Sequence, residues 1–301
     1  MGLSWLIEKK FRGVYTAIIT PFKKDGSVDY TVLGQLIEIQ IASGVNGIVP
    51  CGTTGESPTL TPEEHESVIE FTIKKVNKRC MVIAGTGSNC TREAIELSTN
   101  AEKTGADALL LVNPYYNKPT QEGLYRHFKA IANSVKIPVI IYNIKGRTGV
   151  NVETSTLLRI ISDCSNVLGV KEASGDINQI REVIAKAPKY FSVLSGDDGI
   201  TLELVKSGGD GVISVASNVI PKEMVELTIW ALKGKFTEAD ALNKKLNPLF
   251  DAEFIETNPI PIKFMLVQKK LCEEVYRLPL CEMSAEHKKK VVEVMKQLKL
   301  I

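Results

Sequence analysis

The sequence predicts an eightfold β/α barrel followed by a helical C-terminal extension, and three observations carry that reading. Short Val- and Ile-rich runs alternate with helix-patterned segments, the pair recurring about every 30 residues as βα units require. Eight such units can be counted, evenly spaced over residues 11–234. Beyond Trp230 the strand runs stop, and residues 235–301 keep only helical periodicity, interrupted at Asn258-Pro259-Ile260-Pro261. Eight units would also fit an open doubly wound sheet, but their number and regularity favour closure.

The strand runs are read at 14–21, 47–51, 81–85, 108–113, 138–143, 167–171, 191–195 and 211–215. Each is short and nearly uniformly apolar, as parallel strands covered on both faces must be. Thr61-Pro62-Glu63-Glu64 is a capping box with proline at the first helical position, and Asp176 with Gln179 is a weaker version. The extension is read as a source of oligomer contacts.

Composition removes several function classes. The 301 residues are 44% hydrophobic and 24% charged, a water-soluble globular composition. A net charge of +2, without a basic run interleaved with aromatics, offers no field for a nucleic acid. Residues 1–11 are amphipathic but lack the apolar run and cleavage site of a secretory signal. No stretch approaches the roughly 18 apolar residues of a membrane span. Six cysteines at 51, 80, 90, 164, 272 and 281 form no CxxC pair or disulfide spacing, so they are expected to be reduced, mostly buried, and cytoplasmic.

Chemistry in such a barrel belongs at the C-terminal strand ends. There stand Cys51-Gly52-Thr53-Thr54-Gly55-Glu56-Ser57, Asn113-Pro114-Tyr115-Tyr116, Tyr142-Asn143, Lys171-Glu172 and Ser195-Gly196-Asp197-Asp198. Lys171 ends an apolar run that would carry its amine into the barrel mouth. Desolvation there favours the neutral, nucleophilic amine. The competing reading is a structural lysine paired with Glu172 or Asp197. The three histidines, 65, 127 and 287, make no metal-binding pair and are expected on helix surfaces. Tyr142, Tyr116 and Thr53 remain as proton carriers. Gly85-Thr86-Gly87-Ser88 lacks the third glycine of a dinucleotide loop and reads as a tight turn.

GTTGES at 52–57, NPYYNKPTQEG at 113–123, YNIKGRTG at 142–149, GVKEASG at 169–175 and GVISVASN at 211–218 together resemble the dihydrodipicolinate synthase family. That family belongs to the pyruvate-dependent Schiff-base aldolases, with N-acetylneuraminate lyase. The similarity continues through ETNPIPIK at 256–263 and RLPL at 277–280. It implies condensation of pyruvate with aspartate semialdehyde to 4-hydroxy-tetrahydrodipicolinate, towards diaminopimelate and lysine, without cofactor or metal. Lys171 then matches the Schiff-base lysine, Tyr142 the proton-moving tyrosine, and Thr53 with Tyr116 its relay partners. Tyr116 is implied to cross from a neighbouring subunit, in a dimer or a tetramer of two dimers. Thr54 and Ile213 match the pyruvate pocket, and Arg147 matches the arginine holding the semialdehyde carboxylate. Ser57, His65, Asn89, Glu93 and Tyr115 match a pocket at which lysine inhibits some members.

One position departs from the family: Lys145 replaces the usual proline, so the Arg147 loop is expected to lose a fixed φ and gain a charge. The nearest rival activity is another keto-acid aldolase, of the sialic acid or keto-deoxy-sugar type. A non-catalytic keto-acid sensor is the rival from a different class.

Overall fold

The computed structural model describes residues 10–301, so the amphipathic start over residues 1–9 lies outside the described residues. Eight parallel strands close in sequence order: β1 Gly13–Ala17, β2 Gly47–Val49, β3 Met81–Gly85, β4 Ala108–Val112, β5 Val139–Asn143, β6 Val167–Glu172, β7 Ser192–Ser195 and β8 Gly211–Ser214. Five strands end one to four residues from the ends of their apolar runs, and three of them show the local reason. β2 stops at Val49 because Pro50 has no N–H and Cys51 adopts a left-handed φ of 55°. β1 ends at Ala17 because the Ile19 amide leaves the ladder for the Asn218 side chain at 3.2 Å. β6 instead continues through Glu172, which pairs with Asn143 and Ser195 on either side.

Closure brings β8 against β1, with Gly13 opposite Gly211. A Cβ on Gly211 would stand 2.0 Å from the Gly13 carbonyl oxygen, and its φ of +143° disfavours any side chain. Phe11, Tyr15, Val49, Ile83, Leu110, Ile140 and Leu194 fill the interior, while a larger cluster lies between sheet and helices. The barrel is therefore a packed core open for chemistry only at its mouth.

Twelve helices follow the strands among the described residues. They are α1 Tyr30–Ala42, α2 Pro62–Val76, α3 Thr91–Thr104, α4 Gln121–Ser134, α5 Lys145–Thr148, α6 Thr154–Asp163, α7 Ile177–Lys186, α8 Thr201–Lys206, α9 Pro221–Leu232, α10 Phe236–Ala252, α11 Ile260–Gln268 and α12 Ala285–Gln297. None is long and apolar enough to cross a membrane. The α2 capping box forms in full: Thr61 accepts from the Glu64 amide, and the Glu64 carboxylate accepts from the Thr61 amide. At α7, Asp176 accepts from the Asn178 and Gln179 amides, but the Gln179 side chain turns away to Asn151 and Val152, so that box is half made.

Within the extension, α11 is buried from Ile260 to Leu266. Its Lys263 meets Glu56, at the end of the β2 loop, in an ion pair of 2.5 Å with both side chains wholly buried. The ammonium also donates to the Val275 carbonyl at 2.9 Å and lies over the Phe22 ring. Burial pulls Lys263 below the ordinary ammonium range, and the Glu56 carboxylate opposes that pull. The extension thus anchors a loop at the barrel mouth within the same chain.

Candidate active site

Parallel register sets the centre of the site. Tyr142 on β5 stands opposite Lys171 on β6, which in turn stands opposite Leu194 on β7. The Lys171 Nζ lies 4.1 Å from the centre of the Tyr142 ring, and Lys171 is only 4% exposed. Neither proposed carboxylate partner is used. Glu172 faces the opposite side, accepting from Asn143 Nδ2 at 2.8 Å and Ser174 Oγ at 3.0 Å, while Asp197 accepts from the Gly199 amide at 2.8 Å. Among the described residues Lys171 has no salt bridge within 4.0 Å. Its amine is thus held next to the Tyr142 ring with no carboxylate in contact, placed as a nucleophile for a carbonyl carbon.

Room for that side chain is made by Gly196, just past β7. A Cβ there would lie 2.9 Å from Lys171 Cε and 2.8 Å from Ala173 Cβ. The turn after β2 is built under strain, with Cys51 at φ 55° and Glu56 at φ 54° flanking Gly52-Thr53-Thr54-Gly55. Thr20 Oγ1 donates to the Gly55 carbonyl at 2.6 Å and fixes the turn from below. Thr53 reaches the mouth, whereas Thr54 is buried and accepts from Asn258 Nδ2 at 3.0 Å. Ile213 is buried on β8, opposite Tyr15.

Arg147 sits in the single turn of α5 and donates from Nη2 to the Asn258 carbonyl at 2.9 Å. The departure expected at Lys145 leaves the turn intact, because that residue is the first of the helix, where the amide needs no partner within the helix and a fixed φ is not required. Gly149 closes the turn at φ +74°, its amide donating to Lys145 at 2.9 Å.

A cavity of about 600 Å³ opens at the mouth. Its lining includes Thr53, Tyr142 and Arg147 together with Ser57, His65, Ser88, Glu93 and Tyr115. Lys171, Thr54, Ile213, Asn89 and Tyr116 are not among its walls; Lys171 adjoins it through the Tyr142 ring. Tyr116 is 90% exposed with a left-handed φ of 71°, so within one chain it does not meet Tyr142 or Thr53. Glu93 accepts from Ser88 Oγ in the first turn of α3, and Asn117 Nδ2 donates to the Asn89 carbonyl at 2.9 Å. Burial, reinforced by the Glu93 charge, raises the Tyr115 phenol above its usual range.

Two expectations need correction. His65 and His127, expected on helix surfaces, are each only 5% exposed; His65 shares its buried face with Val68, Ile69 and Thr72, and His127 packs edge-on against Phe128. Desolvation lowers both imidazoles, His127 to about 4. The cysteines are free but not mostly buried: only Cys51 and Cys164 are, and Cys90 and Cys281 are exposed. Gly85 and Gly87 serve close backbone approach, since a Cβ would come within 2.3 Å of the Cys51 carbonyl oxygen and the Val112 amide, respectively. Sequence reasoning missed Gly196 and Asn258 as site residues, although Asn258 lies in the ETNPIPIK stretch.

The Dihydrodipicolinate synthetase family model matches residues 10–298. A curated relative from Thermodesulfovibrio yellowstonii, 4-hydroxy-tetrahydrodipicolinate synthase, is 53% identical over 97% of this chain and 99% of its own. The chloride-inhibited dihydrodipicolinate synthase of Acinetobacter baumannii, solved in complex with pyruvate, is 45% identical with a TM-score of 0.94, covering 96% of this chain and 99% of that one. The Cyanidioschyzon merolae enzyme, solved with lysine bound, is 39% identical with a TM-score of 0.95, covering 97% and 100%.

Burial raises the Glu172 carboxyl from 4.5 to about 7, against hydrogen bonds from Asn143, Ser174 and Gln179 that lower it. A carboxyl with a raised folded pKa retains its proton while the unfolded chain loses one. Stability from this group is full below about 4.5, declines as pH rises towards about 7, and levels off above. Urea midpoints measured from pH 4 to pH 8 should therefore fall with pH in the parent and flatten in Glu172→Gln; equal slopes would show that Glu172 does not carry the dependence.

Proposed function

The chain belongs to the Dihydrodipicolinate synthetase family, and on that premise we propose that it condenses pyruvate with L-aspartate 4-semialdehyde to 4-hydroxy-tetrahydrodipicolinate through a Schiff base on Lys171. The observation that supports this most is the buried Lys171 amine, unpaired among the described residues and set against Tyr142 on the adjoining strand. The amine adds to the pyruvate ketone, and the carbinolamine loses water to give a protonated imine. That imine is an electron sink, so the methyl carbon gives up a proton and becomes an enamine. The enamine carbon attacks the aldehyde carbon, whose oxygen takes up a proton. Finally the amine of the second substrate adds to the imine carbon and expels Lys171, closing the ring and regenerating the enzyme. The imine supplies the electron withdrawal for which other aldolases use a metal, so the route calls for no cofactor.

Within this scheme Tyr142 moves protons at the forming imine, with Thr53 and Tyr116 as relay. Thr54 and the Ile213 carbonyl hold the pyruvate carboxylate, and Arg147 grips that of the semialdehyde with a planar fork suited to it. The exposure of Tyr116 supports completion of the relay by a second copy, in a dimer or a tetramer of dimers. Six free cysteines support a cytoplasmic location.

Borohydride reduction with pyruvate, followed by peptide mapping, should leave a stable adduct on Lys171. An adduct on another lysine, or none, rejects the chemistry. Arg147→Ala should leave that trapping intact while lowering kcat/KM for the semialdehyde about tenfold or more, the worth of one charge-assisted hydrogen bond. Equal loss of both steps would show that Arg147 supports the whole pocket.

The part of the cavity wall formed by Ser57, His65, Glu93 and Tyr115, with Asn89 next in sequence to Ser88, supports a regulatory site for lysine, whose ammonium needs an anion when taken from water. Added lysine should slow the parent and leave Glu93→Ala unaffected. Inhibition that survives the substitution would move the site elsewhere, and a parent indifferent to millimolar lysine would remove the regulation. Sedimentation at assay concentration tests the assembly, since a fully active monomer is incompatible with a donated Tyr116.

A further inference from the structure

The reaction just described leaves the ETNPIPIK stretch without a task, yet it enters the site at one residue. Asn258, 4% exposed and just ahead of α11, makes two bonds to residues distant in the chain. Its backbone carbonyl accepts from Arg147 Nη2 at 2.9 Å, and its side-chain Nδ2 donates to Thr54 Oγ1 at 3.0 Å. One residue therefore touches both groups assigned above to substrate carboxylates, Thr54 for pyruvate and Arg147 for the semialdehyde.

The chemistry of the Thr54 bond matters more than its strength. A threonine hydroxyl has one proton to give and two lone pairs. When an amide N–H occupies a lone pair, the proton is left free to donate, and a carboxylate, which only accepts, is the partner it suits. A carboxylate in place of the amide would reverse this, drawing the hydroxyl proton to itself and presenting pyruvate with a lone pair. Arg147 is treated differently: its tether is a backbone carbonyl, indifferent to the side chain at 258, and it uses one of five guanidinium N–H groups. The remaining N–H groups stay available to a carboxylate, and the short α5 turn gains an anchor across 111 residues of chain.

We propose that Asn258 is a positioning residue that presets both carboxylate subsites, through its side chain for pyruvate and through its backbone for the second substrate. This rests on the reaction assigned above. The test uses the full-length enzyme as Asn258→Asp, Asn258→Ala, Thr54→Val and the pair Asn258→Asp with Thr54→Val. Steady-state KM is measured for both substrates, and the rate of borohydride trapping is followed as a function of pyruvate.

Asn258→Asp should raise the pyruvate KM roughly tenfold or more and leave the semialdehyde KM within about twofold, because the backbone carbonyl is retained. Asn258→Ala, which removes the donor without reversing it, should fall between parent and Asp. In the Thr54→Val background the Asp substitution should add nothing, since both act through one bond. If the Asp variant does not fold, Asn258→Ala is taken through the same cycle with Thr54→Val.

An unchanged pyruvate KM in the Asp variant overturns the proposal, and is what an amide turned to accept from Thr54 would give. A parallel rise in both KM values, or full additivity with Thr54→Val, reduces Asn258 to general support and overturns it equally. Failure of the parent to form the Lys171 adduct rejects the reaction itself, an outcome separate from all of these.

Discussion

Everything at the mouth depends on one extra residue in β6. In the ladder with β5, Val167 pairs with Val139, but the next pair is Gly169 with Ile140, so Leu168 is a bulge. Strand side chains alternate, and one added residue exchanges the faces of all that follow. Val167 and Val170 accordingly join the outer core while Leu168 turns inward. Two positions on from Gly169, Lys171 comes into register with the inward Tyr142 and Leu194, and Glu172 faces the helices. A regular β6 would have placed the carboxylate at the mouth and the amine among apolar helix residues.

What the bulge aims, the extension holds. Glu56 occupies a left-handed backbone position that costs a non-glycine residue on the order of 1 kcal/mol, and its carboxylate is wholly buried. Lys263 neutralises that charge, and Arg277 fastens the neighbouring Glu64 by two contacts of 2.6 Å. Replacing a buried ion pair by apolar groups is often neutral or better, so such a pair is weak evidence for stability. Its consequence here is positional: the turn bearing Thr53 and Thr54 has one place to be.

The barrel was legible because parallel strands buried on both faces spell themselves as apolar runs, and seven of the eight strands were read within one or two residues of their observed limits. β1 missed by more, since Ile18 to Pro21 continue the apolar pattern after the ladder has ended. β6 was legible as the strand that carries Lys171 to the mouth, but its bulge was not, since an inserted Leu168 among apolar neighbours changes no pattern. His65 could have been read as buried, lying three, four and seven residues before Val68, Ile69 and Thr72 on one helical face. Gly196 offered only a missing side chain. Asn258 offered a polar residue beside two prolines, and its partners lie too far along the chain for spacing to show.

That distance has its own consequence. Asn258 and Thr54 are 204 residues apart, Lys263 and Glu56 207, and Arg277 and Glu64 213. At about 5 to 20 residues per second, a ribosome needs roughly 10 to 40 seconds to travel from the first member of each pair to the second. During that interval the emerging barrel carries Glu56 without its lysine and Thr54 without its amide. The strands can pair as they appear, but the mouth is assembled last. The geometry of the mouth thus waits for the extension and is not a property of the barrel alone.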